Sequence, residues 1–126
     1  MIEIEGTRVP LLAREGALLE SKRDANGFLS AAWSQKADLL AIPLERLAPG
    51  FLTLNTRIAG EVFQKFATYR MRCALVGDAS AVLESSGALR DFVRETNKGD
   101  SVWFVADVDQ LEAKVAAAQL QSVNLQ

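Results

Sequence analysis

Unbroken apolar runs recur along this chain at Leu39–Leu44, Cys73–Val76 and Val102–Ala106. A strand that is apolar at every position must be covered on both faces, which happens where helices flank a parallel sheet. Between the runs, apolar residues repeat at helical spacing instead. The clearest case is Phe51–Tyr69, where Ile58, Ala59, Val62, Phe63, Phe66 and Ala67 share one face while Arg57, Glu61, Gln64, Lys65 and Thr68 share the other. Strands and helices in alternation predict an α/β fold with helices packed on the sheet.

The remaining segments fit around that frame. Ile2 and Ile4, then Val9, Leu11 and Leu12, predict short N-terminal strands joined at Gly6. Pro10 favours an edge position because it has no N–H to donate. Antiparallel pairing of these strands predicts a single mixed sheet. Ser21 and Asp24 make a variant of the capping box before a helix that carries Ala25, Phe28, Leu29, Ala32 and Trp33 on one stripe. Ser80, Ser85 and Ser86 mark a loop, after which Ala88, Leu89, Phe92 and Val93 predict a helix ending at Gly99 as a left-handed cap. Asp107 and Gln110 open a last helix with Leu111, Val115, Ala118 and Leu120, and the polar tail over 120–126 is expected to fray. Trp33 and Trp103 are expected in the core, while a partly exposed tryptophan would suit an interface.

At 126 residues the chain is the size of one domain, residues 1–126. A domain of that size needs neither disulfide nor metal to hold together. The 14 basic and 16 acidic residues give a net charge of −2 without a run of either sign, so nothing here attracts nucleic acid or an anionic membrane. Histidine is absent and Cys73 is the only cysteine, which removes the usual general base, the usual metal ligand and any intrachain disulfide. Cys73 opens an apolar strand and reads as a small core residue. Glutamates stand where a secretory signal carries lysine or arginine, and no apolar run approaches the ~20 residues that span a bilayer. The expectation is a cytoplasmic protein with no cofactor and no metal, and the missing histidines and lone cysteine lean against an enzyme without deciding the question.

Two places draw attention. Asn55 and Thr56 precede the central helix, where free amides and the helix dipole favour a side-chain cap, an anion or a phosphate ester. Glu45, Asp78 and Asp107 each follow an apolar run, and in a parallel sheet those loops converge at the carboxyl edge, the usual ligand crevice. Carboxylates there could hold Mg²⁺ or Ca²⁺, although Asp78 is also a natural turn residue and Asp107 a natural helix cap. Gly60, inside the central helix, predicts a close approach of some neighbour. Arg90, Asp91, Arg94, Glu95, Asn97 and Lys98 give the third helix a polar side, read as a solvated face or a protein-docking surface.

The run Phe51-Leu52-Thr53-Leu54-Asn55-Thr56-Arg57-Ile58-Ala59-Gly60-Glu61, with Gln64-Lys65-Phe66 and Tyr69-Arg70, resembles the signature of an uncharacterised bacterial family, domain of unknown function 4180. Ala74-Leu75-Val76-Gly77-Asp78 and Leu89-Arg90-Asp91-Phe92-Val93 extend that resemblance over 16–111. The family brings no activity to transfer. More loosely, the element order is similar to STAS domains, the modules of sulfate transporters and anti-sigma-factor antagonists. That resemblance implies STAS-like connectivity and a regulatory phosphate at the strand-to-helix corner, here Asn55-Thr56. Leu54 and Asn55 stand where those domains carry an aspartate before the phosphorylated residue. The functional expectation is a regulatory or protein-interaction module that binds a protein partner or itself as a homodimer. The alternative is a small-molecule or metal-binding protein, an enzyme included, that uses a site at the carboxyl edge of the sheet.

Overall fold

The computed structural model describes residues 2–124, with side chains described through Ala118. The chain opens with an antiparallel hairpin of β1 (Ile2–Ile4) and β2 (Thr7–Val9) in the register Ile2↔Val9. Its turn places Glu5 and Gly6 at φ 50° and 82°, the twist a tight hairpin requires. Helix α1 (Ala25–Ser34) leads into β3 (Leu39–Pro43), and α2 (Ile58–Thr68) into β4 (Arg72–Val76). A short α3 (Ser80–Glu84) and a longer α4 (Gly87–Lys98) precede β5 (Val102–Val105), and α5 (Val108–Asn124) closes the described chain.

Strands β3, β4 and β5 form a parallel sheet in that order, with registers Leu39↔Arg72 and Cys73↔Val102. Alternation along each strand sorts its side chains onto two faces. Leu40, Ile42, Cys73, Leu75 and Val102 join a core with Phe28 and Leu29 of α1 and Val62 and Phe66 of α2. Leu39, Ala41, Ala74, Trp103 and Val105 face the other way, onto Leu111 and Val115 of α5 and onto Ile4 and Val9 of the hairpin. The α/β architecture expected from the apolar runs is therefore present.

The sheet is not a single mixed one. The hairpin and the parallel sheet are separate, joined along β3 by an isolated bridge, Leu11↔Ala41. There the Leu12 amide donates to Ala41 O and the Ala41 amide to Pro10 O, each at 3.0 Å. The next rung toward β2 calls for an N–H from Pro10, which has none, so the ladder stops. The hairpin is tied instead at Asp38, whose amide donates to Arg8 O at 2.8 Å and whose carboxylate accepts from the Arg8 amide at 2.8 Å.

Other expectations are also corrected. Residues 80–84 form a helical turn rather than loop, started by Asp78 Oδ1 accepting from the Ser80 amide at 2.9 Å. Gly99 is extended at φ −80° and ψ −173°, so α4 does not end on a left-handed glycine. A Cβ on Gly60 meets nothing within 4 Å, so no neighbour approaches it closely. Gly77 is sterically required, because at φ +152° a Cβ there lies 2.8 Å from Leu44 Cγ. The fraying expected over 120–126 concerns side chains, and for 125–126 backbone, outside the described residues, while helical backbone continues to Asn124.

The two tryptophans part company. Trp103 is 3% exposed, donates from Nε1 to Gly99 O at 2.7 Å, and has the cations of Arg72 and Lys114 over its ring, 4.9 and 5.0 Å from the centroid. Trp33, expected in the core, is 47% exposed at the last turn of α1.

Beyond β5, where a further strand would sit, Asn97 acts as the neighbour. Its Oδ1 accepts from the Phe104 amide at 2.7 Å and its Nδ2 donates to Phe104 O at 3.2 Å. The gap between α2, α4 and the sheet is filled by Phe63, stacked on Phe92 with centroids 6.2 Å apart and edge-on to Phe51 and Phe104.

Candidate functional site

The corner before α2 is built from Pro49 to Arg57, a loop that Phe51 anchors in the core. Leu54–Thr56 form a tight 3-10 turn, and Arg57 then adopts a left-handed φ of 63° as the N-cap of α2. Thr56 Oγ1 faces Thr53 O at 2.8 Å and Gly50 O at 3.0 Å, and accepts from the Ile58 amide at 3.3 Å. Its hydroxyl thus knots the loop and reaches only the first amide of the helix. Asn55 and Thr56 are both exposed. The adjoining groove, about 420 Å³, is lined by Lys22, Leu54, Arg57, Gly60, Gln64 and Phe92, so it takes in the neighbours Leu54 and Arg57 but neither Asn55 nor Thr56.

At the carboxyl edge of the sheet, the three carboxylates are divided. Glu45 and Asp107 share a cavity of about 220 Å³ with Arg14, Leu12, Val76 and Gly77. Asp78 lines a neighbouring cavity of about 280 Å³ with Leu83, Asn97, Phe104 and Gln110. Each carboxylate already has a local task. Glu45 lies 3.7 Å from the Arg14 guanidinium. Asp107 caps α5 through the Gln110 amide at 2.8 Å, and Gln110 Oε1 returns a bond to the Ala106 amide, a reciprocal cap. The Ser80 hydroxyl and amide hold the Asp78 carboxyl below its ordinary value. Among the described residues, no set of three or more His, Cys, Asp or Glu side chains is placed to hold a metal ion.

Cys73 is 1% exposed in β4, and burial pushes its thiol up to about 12, well away from the thiolate that nucleophilic chemistry requires.

A feature the residue pattern did not single out lies at the opposite, N-terminal edge of the sheet. Helices α1 and α2 end alike. The Lys36 amide donates to Trp33 O and the Ala37 amide to Ala32 O, each at 3.0 Å. In α2 the Arg70 amide donates to Ala67 O at 3.0 Å and the Met71 amide to Phe66 O at 2.9 Å. Both are Schellman endings, whose pivotal residue must be left-handed and is commonly glycine. Here Lys36 and Arg70 take it, at φ 53° and 56°. Because Leu39 registers with Arg72, the two endings lie side by side, and Trp33 meets Tyr69 edge-on with centroids 5.5 Å apart. Tyr69 is 50% exposed. The signal in the sequence was present but faint: Trp33 and Tyr69 both stand within three residues of a Schellman pivot, at the end of a helix.

Among the described residues, no helix is long and apolar enough to cross a membrane. No curated protein and no solved structure matches the chain. A family model does match, over residues 4–115, from the end of β1 through the parallel sheet and into α5. The chain belongs to that family, described as a domain of unknown function, DUF4180.

Proposed function

We propose that this protein is a non-enzymatic protein-docking module of the regulatory kind to which the looser STAS likeness points. The observation that carries this reading is the Trp33–Tyr69 pair, large aromatic surface left facing solvent where two helices end. Isolated exposed apolar residues are ordinary, but paired aromatics at a helix junction are the side chains that dominate binding at protein interfaces. The exposed Asn55-Thr56 corner supports regulation, since its hydroxyl is within reach of a modifying enzyme. A phosphoryl group at Thr56 would have to give up the bonds to Thr53 O and Gly50 O, which unties the loop. The expected consequence is a change in how α2 begins rather than new chemistry.

The test compares wild type with W33A/Y69A by sedimentation at high micromolar concentration and by pull-down, with circular dichroism to show that both fold. Wild type is expected to form a complex, with itself or with a partner, that the double variant loses. Monomer at every concentration, with no partner that tells the two proteins apart, would overturn the reading.

A second reading is favoured by the cavity of about 220 Å³ shared by Glu45 and Asp107. It makes the carboxyl edge a binding site for a small molecule with a cationic group. Saturable chemical-shift changes confined to that edge, abolished in E45Q/D107N, would support it.

A further inference from the structure

We infer that the Trp33–Tyr69 surface receives an acidic segment of another protein, a stretch in which aspartate or glutamate brackets an apolar side chain. The inference rests on the docking reading above and adds the chemistry of the partner. The chain as a whole carries a net charge of −2, yet the residues that frame this surface are basic. Lys36 is bonded through its amide to the Trp33 carbonyl, and Arg70 directly follows Tyr69. Arg8 adds a third cation, its guanidinium donating to Gln35 O at 3.4 Å beside Lys36. Among the described residues, the ion pairs are Arg14–Glu45, Arg94–Asp91 and Lys98–Glu95, so Lys36 and Arg70 keep their charge for solvent or a ligand. The acids closest in sequence to the two endings are Asp38, whose carboxylate accepts from the Arg8 amide, and Asp78, at the opposite, carboxyl edge of the sheet. They leave the balance at the aromatic pair positive.

The same geometry argues against a second copy as the occupant. A two-fold contact through this patch sets Lys36 and Arg70 of one molecule against those of the other, and like charges facing across an interface disfavour association. Nucleic acid is also a poorer fit, because a patch with so few cations, on a chain of negative net charge, cannot follow a phosphate backbone. An acidic segment with an apolar anchor satisfies both parts of the surface at once. The side chain covers the exposed rings, and its flanking carboxylates meet the cations at the rim.

Trp33 itself is the reporter, since the other tryptophan, Trp103, is buried. Its emission is followed while the full-length protein is titrated with a glutamate-rich peptide containing leucine. The same peptide with serine or with lysine in place of glutamate, and a single-stranded oligouridine, serve as competitors. The acidic peptide is expected to shift the emission saturably and more weakly as salt rises, and W33F is expected to silence the signal. K36E/R70E, checked for folding by circular dichroism, is expected to weaken binding on the order of tenfold or more. Equal response to the serine peptide overturns the acidic partner while leaving a docking surface in place. Preference for oligouridine, self-association through this face, or an undiminished response in K36E/R70E also overturns it. Silence toward every probe overturns it as well, and the docking reading then stands or falls on the W33A/Y69A comparison alone.

Discussion

Asn97 offers the sharpest quantitative test of how the sheet is finished. Replacing it with alanine removes, in one step, the acceptor for the Phe104 amide and the donor to the Phe104 carbonyl. A hydrogen bond of this type contributes about 1 kcal/mol net, and leaving a partly buried partner unmatched adds to the loss. Both groups lie in a half-buried seam between α4 and β5, where water restores the pairing only in part. N97A is therefore expected to lower stability by about 2–3 kcal/mol. For a chain of this size that is a fall in melting temperature of roughly 8–12 °C. Urea titration followed by circular dichroism should show a lower midpoint with an unchanged slope, as expected when a native contact is lost without a change in the unfolded chain. N97D keeps the acceptor for the Phe104 amide but turns an oxygen toward the Phe104 carbonyl, so at neutral pH it should be no better than alanine. The exposed neighbour Lys98, paired only with Glu95, is the control, and K98A should stay within about 0.5 kcal/mol of wild type. If N97A and K98A unfold at the same urea concentration, the claim that Asn97 completes the edge of β5 is wrong.

Further expectations concern the helix ends, the corner and the core. Because Lys36 and Arg70 occupy left-handed pivots, K36G and R70G should each raise stability by several tenths to about 1 kcal/mol, measured by thermal unfolding. A loss in both would show that their side chains hold the fold in some other way. T56V, which deletes the hydroxyl that knots the loop before α2, should cost about 1 kcal/mol, whereas T56S should cost less. The Cys73 thiol, ordinarily near 9.0 and pushed up to about 12 by burial, makes the folded state hold a proton that the unfolded chain releases. Its contribution is complete below about pH 9 and is lost as pH rises toward about 12, at about 1.4 kcal/mol per pH unit, so C73A should flatten the alkaline limb of stability against pH. An alkaline limb identical in C73A would place the titrating group elsewhere.

The apolar runs were legible because complete burial leaves a continuous trace in the sequence, and Leu39–Pro43 has no exposed position at all. The cap of α5 was legible because Asp107 and Gln110 act within one turn. Trp33 was not, because helical spacing assigns a residue to a face without saying where along that face the core gives out. Asn97 looked like one more polar residue on a solvated helix, since its partner Phe104 lies across a turn and the pairing is with backbone, which leaves no mark on composition. The carboxyl-edge candidates were placed on the correct side of the sheet by topology alone. That reasoning could not foresee that Glu45 and Asp107 open into one cavity and Asp78 into another.

Pro10 has a consequence for motion. With one rung missing, the N-terminal hairpin is fastened to the parallel sheet by a few backbone bonds and by the packing of Ile4 and Val9 near α5. Such a segment can lift away in an excursion much cheaper than global unfolding. Amide hydrogens of β1 and β2 should then exchange with solvent well before those of β4, which has a neighbour on either side. Each excursion would bare the flank of β3 while the helical layer on the far face stays in place, all for want of a single N–H at Pro10.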